Sequence, residues 1–144
     1  MREIKFRGKD LNGQWVYGDL EIHRKDSRRL IHSYNDDGGY NRQYDVDEET
    51  IGQFTGLHDK NGREIYEGDI VKDLAEGFST GRIGYIAFLP QECGFVIVWP
   101  KSDSRLGHRN RGGGYDCDPT LEVIGNVYDD KELINNYKRQ QNNE

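Results

Sequence analysis

The sequence predicts a mainly β protein: antiparallel hairpins and a small curled SH3-like barrel, followed by a short C-terminal α-helix. Three observations predict this fold class. Apolar and polar residues alternate over several short runs, which is typical of strands that bury one face. Eighteen glycines and only three prolines suit many turns between short strands. Asn-Gly, the strongest short hairpin signal, occurs at residues 12–13 and 61–62.

The composition indicates a folded protein with a thin core and long polar loops. Of the 144 residues, 33% are hydrophobic and 32% are charged, which is a low hydrophobic share for a globular domain. The aromatic content of 11% offsets this, because aromatic side chains bury large areas. The length suits one domain or two small subdomains that share a core.

Residues 1–50 are predicted to form an N-terminal β-hairpin subdomain with a polar insert. Apolar and charged residues alternate over residues 2–7, and residues 15–22 return as the second strand. Gly18 lies inside that strand, a position typical of a β-bulge. Further short strands are predicted at residues 30–34 and 40–46.

The polar insert contains Tyr34, Tyr40 and Tyr44, and two interpretations of them stay open. They form a contact surface for a partner, or they cover a small β core that lacks aliphatic residues. The acidic run at residues 47–49 ends the insert and is interpreted as a solvated connection.

The densest turn chemistry lies between two apolar runs, residues 51–57 and 65–71. Asn61 and Gly62 both tolerate the positive φ of a type I′ turn, so they are predicted to form the tip of a hairpin. Asp59 is expected to close an Asx turn beside them.

Acidic residues cluster around the corner that follows. Gly68 and Asp69 are predicted to make a tight corner, with the Asp69 carboxylate bonding backbone amides. Together with Asp59, Glu64 and Glu67, this carboxylate could in principle transfer protons or bind a metal. The D-x-N-G spacing departs from that of a calcium-binding loop, so a structural role is predicted and an uncharacterised hydrolase is the weaker alternative.

Residues 51–128 are predicted to form the barrel-like subdomain. A G-D-x-V motif at residues 68–71 and a G-x-I-x-x-I motif at residues 81–86 resemble the pattern of SH3-like and KOW barrels. Residues 95–99 are apolar on both faces, which predicts a central strand. The strands predicted after the corner lie at residues 69–74, 82–89, 95–99 and 121–128.

Residues 129–144 are predicted to form a C-terminal helix with a frayed tail. Asp129 and Asp130 supply an N-cap and a negative first turn for a helix that continues to about Lys138. The final residues are polar and are expected to fray.

A long loop with few apolar residues is predicted at residues 101–118. Its arginines, glycines and tyrosine could follow a nucleic-acid single strand by phosphate contacts and base stacking. Equally, the loop could be solvated, with its arginines balancing nearby acids. The candidate contact residues are Arg105, His108, Arg109, Arg111 and Tyr115.

Three stretches of sequence resemble the YopX family of phage and prophage proteins from Gram-positive bacteria. They are TGLHDKNGREIYEGDIV at residues 55–71, MREIKFRGKD with WVYGDL at residues 1–20, and EVIGNVYD at residues 122–129. The family is mostly β and has no assigned reaction. The resemblance therefore implies a β fold and a phage setting, and it carries over no catalytic residue.

No enzyme, cofactor or metal site is predicted. The sequence has no G-x-S-x-G elbow and no glycine-rich phosphate motif. Cys93, Cys117, His58 and His108 lack the close pairs of a structural zinc site. Both cysteines are expected to be reduced thiols.

The net charge of −6 and the pI near 5.2 argue against a dedicated duplex-DNA binder. No apolar run approaches membrane-spanning length, and residues 1–7 are too charged for a signal peptide, so we expect a cytoplasmic protein with no membrane contact. The sequence favours a non-catalytic protein-interaction or self-associating module, whose partner is another protein or a second copy. The alternative is a single-stranded nucleic-acid-binding protein that uses the basic loop at residues 105–115.

Overall fold

The computed structural model shows a mainly β protein with two antiparallel sheets and one short C-terminal helix, which confirms the predicted mainly β class and the predicted C-terminal helix. The chain divides into two compact units, residues 1–54 and 55–144. The residues that the structure describes are 3–74, 81–100, 109–111 and 120–142.

The elements follow one another in chain order, and two short 3-10 helices at Glu48–Thr50 and Pro90–Glu92 lie between strands. The strands and the helix are β1 Phe6–Lys9, β2 Trp15–Ile22, β3 Arg29–Tyr34, β4 Tyr40–Asp45, β5 Gly52–His58, β6 Glu64–Tyr66, β7 Asp69–Asp73, β8 Ile83–Leu89, β9 Gly94–Val98, β10 Arg109–Arg111, β11 Leu121–Asn126 and α1 Lys131–Asn142.

The first unit is a sheet in which β2 changes its neighbour halfway along. The strand order is β4-β3-β2-β1-β5. Residues 15–18 of β2 pair with β1, whereas residues 19–22 pair with β3. Gly18, the glycine that the sequence marks as a bulge, lies at this exchange with φ +155°. An added Cβ would lie 1.8 Å from the carbonyl oxygen of His32, so only glycine allows the close approach of β2 to β3.

The core of the first unit includes residues of β3. Leu30 and Ile31 are buried, and a Cβ added at Gly8 would meet Val46 at 3.2 Å, so β1 packs closely there. The acidic run before β5 is exposed, as predicted, but it continues into a 3-10 helix. Thr50 fixes that helix, since its Oγ1 accepts the amide hydrogen of Lys9 at 2.8 Å.

Three hairpin turns, at residues 10–13, 35–38 and 59–62, share one backbone geometry. In each, the amide of the fourth residue donates to the carbonyl of the first at 2.9 or 3.0 Å. The fourth residue is a glycine with φ between +77° and +84°. The predicted type I′ turn at Asn61 and Gly62 is therefore wrong, because it needs positive φ at both residues and only Gly62 has it. The geometry matches a type I turn followed by a bulge glycine.

The second unit contains the end of β5 paired with β6, and a five-stranded sheet with the order β10-β9-β8-β7-β11. Between β8 and β10 lies β9, so the predicted central strand is confirmed. No closed barrel is found among the described strands, and the SH3-like barrel stays a prediction. The buried cluster of this unit comprises Ile65, Val71, Ile86, Ile97, Trp99, Leu121 and Val123.

The loop predicted at residues 101–118 is wrong at its centre, because Arg109–Arg111 is strand β10. Arg109 pairs with Val98 and Arg111 with Val96, so these residues complete the hydrogen bonding of β9 at the edge of the sheet. An edge strand needs only backbone groups for this pairing, which is why a run without apolar residues gives no sequence signal.

The C-terminal helix begins at Lys131, close to its predicted start, and ends at Asn142, beyond the predicted Lys138. Ile134 is buried. The Asp130 carboxylate, predicted as the helix cap, accepts the amide hydrogen of Asn126 in the preceding turn.

Two glycine substitutions are expected to differ sharply. Gly62→Val should lower the free energy of unfolding by about 1–3 kcal/mol, because a β-branched residue resists positive φ while open space surrounds the site. Gly18→Ala should cost more, because its Cβ meets the backbone of His32. Chemical denaturation measures both, and equal effects would contradict this account of Gly18.

Candidate functional site

The candidate site is one face of the β2-β3-β4 part of the first unit. Asp19 lies opposite His32 in the β2-β3 ladder, and Tyr34 lies opposite Tyr40 in the β3-β4 ladder. Because side chains alternate along a strand, Glu21 shares the face of Asp19, and Tyr34 shares the face of His32. We call Asp19, Glu21, His32, Tyr34 and Tyr40 the tyrosine face.

Asp19 holds the two tyrosines of this face. The hydroxyl of Tyr40 donates to Oδ2 of Asp19 at 2.8 Å, and the hydroxyl of Tyr34 donates to Oδ1. The two rings stack with centroids 5.9 Å apart and planes at 15°. Nevertheless, Tyr34 remains 42% exposed and Tyr40 62% exposed. The rings are therefore held in place while still open to solvent.

Glu21 lies between two imidazoles. Its Oε1 is 2.5 Å from Nε2 of His23, and its Oε2 contacts Nε2 of His32. These hydrogen bonds, first from His32 and then from His23, hold the pKa of Glu21 below its ordinary value. The carboxylate therefore keeps its negative charge on the face at neutral pH.

The tyrosine hydroxyls keep their protons. Burial, followed by the hydrogen bond to Asp19, raises the pKa of Tyr34 to about 12. The hydrogen bond to Asp19 is the main cause that raises the pKa of Tyr40. Both hydroxyl protons are directed at Asp19, so the face presents ring surface and carboxylate charge to a ligand.

A shallow groove of about 410 Å³ is lined in part by Tyr34 of this face. Trp15 contributes a ring to it, and the guanidinium of Arg7 already lies 4.6 Å from that ring. Lys9 approaches the same ring at 5.5 Å. The chain's own cations thus cover part of this aromatic surface. The groove is lined by Lys5, Trp15, Val16, Tyr17, Gly18, Ser33, Tyr34 and Tyr44.

The three tyrosines of the polar insert occupy different environments. Tyr34 and Tyr40 belong to the tyrosine face and are exposed, as a contact surface requires. Tyr44 lies opposite Ile31 in the ladder, so it points to the other face and is half-buried. The guanidinium of Arg42 lies 5.3 Å from its ring.

The predicted basic contact residues are only partly described. Arg109 and Arg111 lie in the edge strand β10 of the second unit. Arg105, His108 and Tyr115 lie outside the described residues.

Asp59 is buried in the second unit and accepts three backbone amides. Oδ1 accepts from Asn61 and Arg63, and Oδ2 accepts from Val123, all at 2.9 Å. Burial works to raise the pKa of Asp59, but the three amides outweigh it and the pKa is lowered. The residue thus closes the predicted Asx turn and also binds a distant strand.

The corner at Gly68 and Asp69 is held in a similar way. Asp69 is buried, and its Oδ2 accepts the amide hydrogen of Tyr66 at 2.8 Å. The amide of Gly68 donates to Ile86 at 2.8 Å. Gly68 has φ +87°, and a Cβ there would lie 2.9 Å from the Tyr128 ring, so both the backbone conformation and the space favour glycine.

The sequence left two kinds of position to examine, the candidate metal ligands and the two cysteines. No group of three or more His, Cys, Asp or Glu side chains placed to hold a metal occurs among the described residues. Cys93 is a free, exposed thiol, and Cys117 lies outside the described part of the chain.

Sequence reasoning identified Tyr34 and Tyr40 but missed Asp19, Glu21 and His32. The alternation of Asp19 with Glu21, and of His32 with Tyr34, was visible in the predicted strands. Only the β2-β3 register, which opposes Asp19 to His32, places the two pairs side by side.

Comparison with known proteins identifies the family. The profile described as YopX protein matches residues 5–135, nearly the whole chain. The chain belongs to the YopX family. This confirms the resemblance seen in the sequence.

The fold of this YopX-family chain is similar to the crystal structure of protein EF1440 from Enterococcus faecalis. The TM-score is 0.50 and the identity 22%, with 93% of this chain and 99% of that chain covered. At this identity the likeness concerns the fold alone. No curated protein matches the chain. Within the described residues, no helix has the length and apolar character needed to cross a bilayer.

Asp59→Asn should destabilise the protein by about 1.5–3 kcal/mol at neutral pH, the range for hydrogen bonds to a charged group. The amide nitrogen of asparagine cannot accept, so at least one backbone amide loses its partner. Because the folded pKa of Asp59 is below its unfolded value, its contribution is present above that value and is lost as pH falls through the folded pKa.

The gap in unfolding free energy between wild type and Asp59→Asn should therefore narrow as pH falls below about 4. Denaturant titrations across the acidic range measure this gap. The control is Asp36→Asn, which changes an exposed carboxylate in the turn at residues 35–38. A gap that stays constant down to about pH 2 would contradict the role assigned to Asp59.

Asp19→Asn should lower the pKa of Tyr40 and, to a smaller extent, that of Tyr34. The hydrogen bond to Asp19 is the main cause of the raised pKa of Tyr40, and the substitution weakens it by removing the charge. Burial, which the substitution leaves in place, is the main cause of the raised pKa of Tyr34. Carbon NMR of the tyrosine Cζ resonances follows the onset of ionisation at alkaline pH. An unchanged onset at Tyr40 would mean that Asp19 does not hold its hydroxyl.

Proposed function

We propose that this YopX-family protein is a non-catalytic protein-interaction module that acts in the host-cell cytoplasm during phage growth. Its contact surface is the tyrosine face. The observation that supports this proposal is the stacked, exposed pair of Tyr34 and Tyr40, whose hydroxyls are both fixed by Asp19.

A fixed tyrosine pair suits protein recognition for energetic reasons. Tyrosine supplies a large contact area and has few torsions to restrict on binding. Here the stacking and the Asp19 hydrogen bonds already limit those torsions in the free protein. Binding therefore costs less conformational entropy than it would at two mobile side chains.

The polar groups of the face support a role in binding rather than in catalysis. A general base needs a carboxylate or imidazole with free access to a substrate proton. The Asp19 carboxylate accepts from two tyrosine hydroxyls, and Glu21 is engaged by two imidazoles. These acids position the rings and supply charge.

The partner is another protein or a second copy of the chain. The alternative drawn from the sequence is a single-stranded nucleic acid bound through residues 105–115. It predicts that affinity capture recovers nucleic acid instead of a protein partner. Sedimentation velocity of the purified protein separates self-association from binding of a different protein.

The experiment is affinity capture of the tagged protein from phage-infected cells, with and without nuclease. We expect a protein partner that resists nuclease and whose recovery falls at least about tenfold in Tyr40→Ala, as for an interface hot spot. Tyr40→Phe is the matched variant, since it keeps the ring and should retain most of the partner. Phe88→Ala removes an exposed aromatic ring of the second unit and should retain all of it.

Melting curves first establish that the variants are folded. Co-purified nucleic acid that disappears with nuclease would favour the alternative. Equal recovery of the partner by the wild type and by Tyr40→Ala would overturn the assignment of the contact surface.

A further inference from the structure

Beside the tyrosine face, β4 forms the outer edge of its sheet. It is the last strand in the order β4-β3-β2-β1-β5. Just beyond its C-terminal end the edge is closed, because Asp10 bridges Val46 and the amide of Asp47 donates to the carbonyl of Lys9 at 2.9 Å. Along residues 40–44, no described residue pairs with its outer side. The amide of Val46 donates to Arg29 at 3.0 Å, so the alternation of an antiparallel ladder directs the amides of Gln43 and Asp45 outward. Outward amides and carbonyls of an edge strand are a template for a further strand.

Strand β4 has few of the features that commonly prevent an edge strand from pairing with another chain. The strand has six residues, no proline and no lysine. Its one arginine, Arg42, lies opposite Ser33 and therefore points to the face away from Tyr34 and Tyr40. The register shift near Tyr34 disturbs the beginning of β4, but the ladder is regular from Arg42 to Asp45.

The face next to this edge carries the carboxylates of Asp19 and Glu21, with the imidazoles of His23 and His32 beside Glu21. Within the part of the chain that is described, neither Asp19 nor Glu21 forms an ion pair with a lysine or arginine. Asp45, at the end of β4, is paired with Arg28 at 3.0 Å. Beside these acids lies the exposed ring of Tyr40, whose electron-rich surface attracts cations.

We propose that β4 accepts an extended segment of the protein partner as an added strand, and that a lysine or arginine of this segment binds over Tyr40 near Asp19. This inference rests on the proposed function and specifies the chemistry of the partner. Backbone hydrogen bonds to β4 give the register, and alternate side chains of the added strand lie on the tyrosine face. The charge of Asp19 and Glu21 selects a basic segment over an acidic one.

The direct test uses two fluorescein-labelled seven-residue peptides, one alternating threonine with lysine and the other alternating threonine with glutamate. Fluorescence anisotropy measures the dissociation constant of each. We expect the basic peptide to bind at least about tenfold more tightly. Asp19→Asn combined with Glu21→Gln should reduce this preference to within about threefold.

Strand addition is tested at Gln43. Gln43→Pro removes an outward amide hydrogen, a position where an edge strand tolerates proline, so β4 should keep its pairing with β3. This variant should weaken binding of the basic peptide at least about tenfold, whereas Gln43→Ala should stay within about twofold of wild type. Circular dichroism checks that both variants are folded.

Four results would overturn the inference: equal affinity for both peptides, no binding of either at about 1 mM, unchanged binding by Gln43→Pro, or tighter binding of a labelled oligothymidylate. If Tyr40→Ala loses the captured partner but Gln43→Pro retains it, strand addition to β4 is wrong and the tyrosine face is still the contact surface. If Tyr40→Ala retains the partner fully, the tyrosine face is not the contact surface, and the inference is overturned with it.

Discussion

The Asp59 carboxylate accepts amide hydrogens from residues two, four and sixty-four positions further along the chain. The first two bonds shape the turn at residues 59–62, and the third ties this turn to β11. The amide of Lys60 adds a parallel bond to Leu121 at 2.9 Å. Since β11 pairs with β7, one buried charge connects the hairpin β5-β6 to the five-stranded sheet. The hairpin and the sheet also share a buried cluster, to which Ile65, Leu121 and Val123 belong.

Much of the fold follows from local sequence, and the exceptions have identifiable causes. The bounds of β2 were predicted as residues 15–22 because a turn precedes them and the apolar residues are dense. The first strand was placed too early, at residues 2–7. Alternation of apolar and charged residues indicates which side chains share a face, but it does not indicate where hydrogen bonding to the next strand begins. The type I′ turn was wrong because Asn61 has negative φ. All three turns have Asp or Asn at the first position and glycine at the fourth, which is the local signal of a type I turn, and the Asn-Gly pair was given more weight than this signal. Edge pairing alone defines β10, so composition could not reveal it.

The candidate site was harder to predict than the fold because its members come from three strands. A tyrosine is recognisable in the sequence, but its exposure depends on the face it occupies, as Tyr34 and Tyr44 demonstrate. Asp19 and Glu21 look like ordinary solvated acids until the ladder places them beside His32. Membership of the YopX family establishes kinship and fold without assigning chemistry. The site therefore has to be argued from geometry and charge.

The change of neighbour within β2 has a mechanical consequence. Its first half, residues 15–18, pairs with β1, and its second half, residues 19–22, pairs with β3, with Gly18 at the junction. Each half can therefore lose its partner without breaking the other ladder. Local opening of the β1-β2 hairpin leaves the arrangement of β2, β3 and β4 hydrogen-bonded, so amide exchange in one half is not bound to follow the other. The first unit therefore contains two β-ladders that meet at Gly18 and can open separately.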